Sequence, residues 1–277
     1  MTELCCQFGE HERLAGIVTQ PAAAAARGLC VLVNAGMVAK SGPWRLYVEV
    51  ARRLAHAGVA TLRFDLGGIG DSRREQADGP LRERTALEIR AAVDELARRH
   101  PDGHGVIVGG VCSGAEDALR YAEQDPRVTG VVLIDPFSYR TTGWRWRHAA
   151  FRATRRALRA VGIYEPIAAP EADADTGTGA GAPRRVVSYK YMEHAESSRI
   201  LKALFARRAR LLFIYTGGQH DSFNHAGQLQ QMFPDLPFED RVAVEYFAHM
   251  DHTQAFASDR KEVVAAIERS VDTWLTR

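Results

Sequence analysis

Short runs of consecutive apolar residues alternate along the chain with longer segments in which apolar side chains recur every three or four positions. The short runs are typical of buried strands, and the longer segments are typical of amphipathic helices. Strands are predicted at 29–33, 59–64, 106–109, 128–134, 210–215 and 242–247, after a leading hairpin over 4–20. Helices are predicted at 43–56, 85–100, 113–124 and 259–275. Such alternation predicts an α/β fold with a mostly parallel central sheet and helices on both faces.

One long segment, 138–205, interrupts this alternation. It contains two helical patterns, at 144–161 and 193–208. Between them, residues 168–183 are rich in Ala, Gly, Thr, Asp and Pro and show no apolar periodicity, which predicts a flexible loop. We therefore expect 138–205 to be a helical lid inserted into a single core domain. That core domain would consist of residues 1–137 and 206–277.

The composition is that of a soluble globular chain of ordinary charge. The 277 residues include 36 Lys and Arg against 34 Asp and Glu, so a nucleic-acid-binding protein is not expected. No stretch approaches the roughly 18 consecutive apolar residues of a membrane-spanning helix, and no signal peptide is recognisable at the N-terminus. The 4 cysteines are too few for a disulfide framework in a chain of this length. These features predict a cytoplasmic protein with free thiols.

The turn between the third predicted strand and the helix after it carries the most informative motif. Residues 110–114 read G-V-C-S-G, which is the nucleophile-elbow pattern G-x-Nu-x-G with cysteine at its centre. Small residues must flank the nucleophile two positions away, because strand and helix approach closely there. Centring the motif on Cys112 provides glycine at both positions, whereas centring it on Ser113 places Val111 and Ala115 there. We therefore predict Cys112 as the nucleophile and the Ser113 backbone N–H as an oxyanion donor.

An acid and a histidine follow the nucleophile along the chain in this arrangement, each just after a late strand. The last two predicted strands are followed by Asp221 and His252, respectively. The predicted triad is therefore Cys112, His252 and Asp221, in which His252 deprotonates the thiol and Asp221 fixes the imidazole tautomer. The alternative acid is Asp135, at the end of the predicted strand 128–134, and the alternative bases are His220 and His249.

The sequence also indicates where a second oxyanion donor would lie and whether a cofactor or a metal is expected. The second oxyanion donor is expected in the loop after the strand 29–33, at the backbone N–H of Gly36 or Met37. The glycine-rich turn after the strand 59–64 does not open a helix as a dinucleotide fingerprint does, so no cofactor is predicted. The Cys and His spacings do not match a zinc site, so no metal is predicted.

These motifs give the chain a resemblance to the α/β-hydrolase superfamily over most of its length outside 138–205. More narrowly, it is similar to hydrolases associated with exosortase A systems, which carry an R-F-D-x-x-G-x-G-D-S turn, a G-x-C elbow and a late D-H-T sequence. The matching segments are 63–72, 110–112 and 251–253. The chain departs from that group at Gly114, where alanine is frequent, and at 34–36, where N-A-G replaces G-G-P. The resemblance implies an α/β-hydrolase fold, ester or thioester chemistry, and nucleophile, acid and base roles for Cys112, Asp221 and His252.

A cysteine nucleophile broadens the expected chemistry. An acyl-cysteine is itself a thioester, so passing its acyl group to another acceptor is about as favourable as forming it from a thioester donor. We therefore expect a hydrolase or acyltransferase acting on an ester or thioester, with a small-molecule, coenzyme A or carrier-protein donor. The alternative is a non-catalytic binding or scaffold protein that retains the fold.

The predicted lid interleaves tryptophan with arginine, which bears on the substrate. A cationic lid would suit an anionic partner such as an acidic acyl carrier protein or a phosphopantetheine arm. The alternatives are a solvated helix in an arginine-rich chain and an amphipathic helix at a membrane surface. The lid residues predicted to contact substrate are Trp144, Trp146, Arg152 and Arg155.

Overall fold

The computed structural model describes residues 1–23, 25–74, 80–161, 191–238 and 241–276. The strands in these ranges are β1 (Thr2–Phe8), β2 (Leu14–Gln20), β3 (Gly28–Val33), β4 (Val59–Phe64), β5 (Val106–Val111), β6 (Val128–Ile134), β7 (Arg210–Thr216) and β8 (Val242–Phe247). They form one sheet in the order β1-β2-β4-β3-β5-β6-β7-β8. The β1–β2 and β2–β4 pairs are antiparallel, and the remaining pairs are parallel.

Helices cover both faces of this sheet. The α-helices of the described ranges are α1 (Leu46–His56), α2 (Leu81–Arg99), α3 (Ser113–Gln124), α4 (Thr142–Ala160), α5 (His194–Ala206), α6 (Gln228–Met232) and α7 (Ala257–Thr276). Apolar residues of α2, α3 and α5, such as Ile89, Leu119 and Leu201, share one core cluster with the sheet. Leu54 of α1 and Ile267 of α7 belong to a second cluster, on the opposite face. The predicted α/β class, with a mostly parallel sheet between helices, is therefore confirmed.

The boundaries differ from the sequence-based ones in a few places. The predicted helix at 43–56 begins as a 3-10 turn at Pro43–Arg45, and α1 proper starts at Leu46. The short helix α6 has only 5 residues, too few to show a helical period in the sequence. The two helices of the predicted insertion form between β6 and β7 as α4 and α5. The loop expected at 168–183 lies outside the described residues.

Strand β5 and helix α3 cross so closely that two positions of the turn must be glycine. A Cβ atom on Gly110 would lie 2.5 Å from the backbone carbonyl carbon of Gly114. A Cβ atom on Gly114 would lie 2.6 Å from the carbonyl oxygen of Val33, on the neighbouring strand β3. Both obstacles are backbone atoms, which cannot rotate away as a side chain does. The two glycines thus bring the start of α3 against the end of β3.

A methyl group at this crossing should be costly. We expect Gly114→Ala to lower the free energy of unfolding by roughly 1–3 kcal/mol, because the Val33 carbonyl must move. Urea denaturation followed by circular dichroism measures the change. Gly227→Ala is the matched control, since a Cβ there would approach only the His225 ring, at 3.2 Å. Equal urea midpoints for the two variants would contradict the close approach of β3 and α3.

Candidate active site

Cys112 occupies the turn between β5 and α3 in a strained backbone conformation. Its φ of 53° and ψ of −120° lie in a region that L-residues rarely adopt. Three backbone hydrogen bonds hold it there: the Cys112 N–H donates to Ile134 O at 2.8 Å, and its carbonyl accepts from Ala115 N–H at 3.1 Å and from Glu116 N–H at 3.2 Å. The thiol is half-buried. Cys112 is the residue before the first turn of α3, where the helix dipole and free N–H groups favour a negative charge.

His252 contacts both Cys112 and a buried carboxylate. Its Nδ1 lies 2.8 Å from Oδ2 of Asp135, which follows β6 directly. The Cys112 side chain also interacts with the imidazole and contributes to the raised pKa of His252. The Asp135 carboxylate is fully buried and also accepts from Thr216, from its N–H at 2.7 Å and from its hydroxyl at 2.6 Å. Thr216, Asp135 and His252 therefore form a chain of hydrogen bonds, and the imidazole at its end interacts with the Cys112 thiol.

The position of Asp221 differs from the prediction that it orients His252. Its carboxylate is 78% exposed and lies 3.3 Å from Nε2 of His220. The Asp221 carbonyl accepts a hydrogen bond from Arg140 at 3.0 Å. The alternative acid, Asp135, is the one that contacts the imidazole. Both residues follow a strand of the parallel sheet, and only their packing determines which carboxylate meets His252.

The other candidate histidines also lie apart from this chain of hydrogen bonds. His220 takes part in ring contacts with His148 and Phe151. His249 is exposed and lies 3.4 Å from the carboxylate of Glu262. Among the described histidines, His252 is the one that contacts both an acid and Cys112.

The carboxylate and the thiol favour the protonated form of His252. The hydrogen bond with Asp135 is the main cause that raises the pKa of His252 from 6.5 to about 10, and the interaction with Cys112 raises it further, whereas partial burial lowers it. The imidazole is therefore positively charged at neutral pH.

This charge should make the folding stability depend on pH. Because the pKa of His252 is higher in the folded state, its contribution is complete below about pH 6.5, declines above it and is lost as the pH rises through about 10. We expect the urea midpoint of the wild type to exceed that of His252→Gln clearly near pH 6 and much less near pH 10. A difference that stays constant across this range would contradict the raised pKa.

The predicted oxyanion donors differ in their surroundings. The Gly36 N–H donates to the hydroxyl oxygen of Ser113 at 2.8 Å, so this donor is engaged in the structure as it stands. Ser113 is buried at the first position of α3, which places its own N–H at the helix N-terminus. Met37, the third predicted donor, is 84% exposed. The Gly36 N–H can bind an oxyanion only after its hydrogen bond to the Ser113 hydroxyl has broken.

A buried tyrosine, which no sequence pattern indicated, stabilises the turn that contains Cys112. The Tyr47 hydroxyl donates to Val33 O at 2.7 Å and accepts from Val111 N–H at 2.9 Å. It thereby links the last residue of β3 to the residue before Cys112. Burial raises the pKa of Tyr47, which keeps the hydroxyl protonated and able to donate. A tyrosine on an amphipathic helix is ordinary in a sequence, so no local signal identifies this role.

Two further groups fix the loop after β3. Asn34 donates through Nδ2 to Val38 O at 3.0 Å and accepts from Leu66 N–H at 3.2 Å. The buried Asp65 accepts from the Lys40 N–H at 2.6 Å and from the Lys40 ammonium at 2.7 Å. These contacts join the loop after β3 to the turn after β4, so the role of Asp65 is structural.

The predicted lid residues on α4 have contrasting environments. Trp144 is buried, and its indole N–H donates to His220 O at 3.1 Å. It therefore attaches α4 to the loop after β7. Trp146 is 74% exposed. Arg152 is exposed as well, whereas the Arg155 guanidinium lies 5.0 Å above the Phe151 ring.

Neither a metal centre nor a membrane span is found in the part of the chain that the structure describes. No group of three or more His, Cys, Asp or Glu side chains among these residues could hold a metal ion. None of the described helices is both long and apolar enough to cross a bilayer.

The fold, with a cysteine–histidine–aspartate chain at the carboxyl ends of its parallel strands, is that of an α/β hydrolase. The serine aminopeptidase S33 family matches residues 24–256, and the chain belongs to this family. Its family name describes a serine enzyme, whereas the elbow of this chain has Cys112 at its centre. No protein of curated function matches the chain in sequence.

Solved structures from several organisms share the fold at low sequence identity. An esterase domain from Rhodothermus marinus is 18% identical with a TM-score of 0.56, and the match covers 98% of each chain. An esterase from Pyrococcus furiosus is 13% identical with a TM-score of 0.62, covering 99% of this chain and 91% of that one. An α/β serine hydrolase without a lid from Xanthomonas campestris is 14% identical with a TM-score of 0.56, covering 100% of this chain and 95% of that one.

Proposed function

We propose that this α/β hydrolase cleaves an ester or thioester through an acyl-cysteine intermediate on Cys112. The observation that carries the proposal is that His252 is hydrogen-bonded to the buried Asp135 and interacts with the Cys112 side chain at the turn before α3. The strained φ of 53° at Cys112 and its place at the start of α3 support it, because both are properties of a nucleophile elbow. The esterases that share the fold agree with this class of reaction.

Acylation begins with a thiolate and an imidazolium. The Cys112 thiolate attacks the carbonyl carbon of the substrate, and the carbonyl oxygen becomes an oxyanion near the Ser113 N–H. The C–O or C–S bond then breaks, and His252 gives its proton to the departing alkoxide or thiolate. Asp135 accepts the hydrogen bond from Nδ1 throughout and holds the imidazole in place. The products of this half-reaction are an alcohol or thiol and the acyl-enzyme.

Deacylation needs His252 as a base. Once Cys112 is acylated, the thiolate no longer contributes to the raised pKa of His252, so a neutral imidazole becomes more accessible. The imidazole takes a proton from water or from a second alcohol, amine or thiol, which attacks the acyl carbon and releases Cys112 as a thiolate. Water gives hydrolysis, and another acceptor gives acyl transfer.

Trapping the intermediate tests the proposal directly. The protein is mixed with p-nitrophenyl acetate or a short acyl thioester, quenched in acid and analysed by peptide mass spectrometry. We expect one acyl group on Cys112, none in Cys112→Ala, and little on the exposed Cys5, which serves as an internal control. Acylation of Cys5 and Cys112 at equal rates, or no acylation at all, would instead indicate a non-catalytic protein with the same fold.

We further propose that α4 borders the substrate entrance and favours an anionic acyl donor such as an acidic carrier protein. Trp144 attaches α4 to the loop after β7, and Thr216 at the end of β7 contacts the same Asp135 that binds His252. The helix carries arginines and no acidic side chain: Arg145, Arg147, Arg152, Arg155, Arg156 and Arg159. Positive charge at an entrance raises the encounter rate of an anionic partner.

Charge reversal on α4 should therefore discriminate between donors. Replacing Arg152, Arg155 and Arg156 by glutamate is expected to raise KM for an acyl carrier protein donor about tenfold and to leave KM for a neutral acetate ester unchanged. Steady-state kinetics with both donors measures the difference. The control is the same reversal at exposed cations outside α4, namely Arg98, Lys202 and Lys261. If both triple variants raise KM for the carrier-protein donor equally, the effect comes from the net charge of the protein and not from α4.

A further inference from the structure

Four arginines line a cleft at the end of the sheet opposite to Cys112. It has a volume of about 420 Å³ and lies where β7 and β8 begin, between the end of α5 and the last turns of α7. The arginines are Arg208, Arg210, Arg241 and Arg269, and the other lining residues include Trp274, Ser270 and Thr273. Strand β7 runs from Arg210 in this cleft to Thr216, which contacts Asp135, so about 20 Å separates the cleft from the candidate active site.

Within the described ranges, few carboxylates face the arginines of this cleft. Among the described residues, Arg208, Arg210 and Arg241 form no ion pair with a carboxylate. Arg269 lies 3.3 Å from Glu245, but both side chains are exposed, so this pair screens little charge. Other arginines near α7 are paired, as Arg260 with Glu49 shows at 3.0 Å.

Two of the guanidinium groups are fixed in place by neutral partners. Arg210 donates to the carbonyl oxygens of Thr273 at 3.3 Å and Trp274 at 2.9 Å, near the end of α7. Arg241 donates to Phe205 O at 3.1 Å. Carbonyl groups orient a guanidinium without removing its charge, so these cations are ordered before any ligand arrives. Preordering of this kind lowers the entropy cost of binding.

We propose that this cleft binds a diphosphate ester that carries a planar ring. Guanidinium groups pair with phosphate oxygens in a bidentate manner, and two linked phosphates carry about three negative charges at neutral pH. That charge suits four arginines, of which Arg269 pairs with Glu245 within the described part of the chain. The cleft is larger than a diphosphate alone, which leaves room for an organic group.

The ring of the ligand would lie against Trp274. This side chain is half-buried, and its ring packs so closely on β6 that a Cβ on Gly130 would lie 2.7 Å from it. One part of the indole is thus held by the sheet, and the remainder lines the cleft. Aromatic side chains in such a position stack on planar bases without strong sequence or base preference. A nucleoside diphosphate has both features.

Isothermal titration of the full chain with ADP and with inorganic pyrophosphate, in buffer containing EDTA and about 0.15 M salt, tests the proposal. We expect saturable binding of one ADP per chain, with affinity lowered about tenfold or more in the double variant Arg208→Gln/Arg241→Gln. The double variant Arg52→Gln/Arg98→Gln removes the same charge from exposed ion pairs elsewhere and should bind as the wild type does. Trp274→Leu should weaken ADP and spare pyrophosphate.

Several outcomes would overturn this assignment. No saturable binding of either probe would mean that the chain itself neutralises the cleft. Equal losses in both double variants would mean non-specific attraction. Sedimentation with anionic phospholipid vesicles that depends on Arg208 and Arg241, without ADP binding, would assign the cleft to a lipid surface instead. Because hydrolysis of a neutral ester should be unchanged in Arg208→Gln/Arg241→Gln, these results are independent of the proposed function.

Discussion

Replacing Cys112 by alanine is expected to lower kcat for a reactive ester by about 10⁴-fold or more while the protein remains folded. Without the sulfur no acyl-enzyme can form, and only binding and oxyanion stabilisation remain, as in other hydrolases that lose the nucleophile. Alanine is smaller than cysteine and tolerates the turn, since the neighbouring glycines and not Cys112 provide the close crossing of β5 and α3. Initial rates of p-nitrophenol release, with circular dichroism as the folding control, measure the effect.

The serine variant adds information on the state of His252. Asp135, the largest cause of the raised pKa of His252, is retained in this variant, so the imidazole still favours its protonated form and is a poor base towards a hydroxyl. Cys112→Ser should consequently be far less active than the wild type, although it keeps a nucleophilic atom. Ser113→Ala, at the adjacent hydroxyl, should still form the acyl adduct on Cys112. A Cys112→Ala protein with wild-type turnover would show that another residue carries the reaction.

Asp135→Asn is expected to lower kcat by about 10⁴-fold, whereas Asp221→Asn should leave kcat within about twofold of the wild type. Asparagine preserves the shape of the side chain but removes the charge that stabilises the imidazolium of His252 and fixes its tautomer. Asp221 is exposed and pairs with His220, so the loss of its charge does not reach His252. Steady-state kinetics on one neutral ester for both variants decides between the two acids.

The fold of the Asp135→Asn protein has to be checked, because Asp135 is buried and also accepts from Thr216. The remaining amide oxygen of asparagine can still accept the Thr216 N–H. A urea midpoint close to the wild-type value would show that a lower kcat reflects lost charge and not unfolding. The reverse pattern, with Asp221→Asn inactive and Asp135→Asn active, would restore the acid chosen from the sequence.

Much of the sheet could be predicted because its strands are local patterns. The predicted strands 59–64, 128–134 and 242–247 match β4, β6 and β8 at both ends. Each is a short run of apolar residues bounded by turn residues, and the parallel arrangement follows from the helices between them. The elbow was equally local, since strand, glycines and helix lie within a few positions of Cys112.

The acid could not be chosen in this way. Asp135 and Asp221 both follow strands, and nothing in their immediate sequences shows which of them contacts His252. The decisive facts are non-local: Asp135 is 117 positions from His252 in the chain and lies at the end of β6, where Thr216 of the adjacent strand β7 holds its carboxylate. Asp221 is carried on the loop to which Trp144 attaches α4.

The amino-acid sequence by itself determined the order of strands and helices, the elbow and its cysteine, and the late histidine, because each of these depends on neighbours in the chain. Only the tertiary structure decided which carboxylate is hydrogen-bonded to His252. The same is true of the hydrogen bond from Val111 N–H to Tyr47 and of the one from Gly36 N–H to Ser113. The arginine cleft also appears only in three dimensions, since its arginines come from α7, from the first residue of β7 and from the segments that precede β7 and β8. Hydrogen bonds and ion pairs join atoms that lie a few ångströms apart in space. The residues that they join can be far apart in the sequence, and no local sequence pattern indicates such a pair.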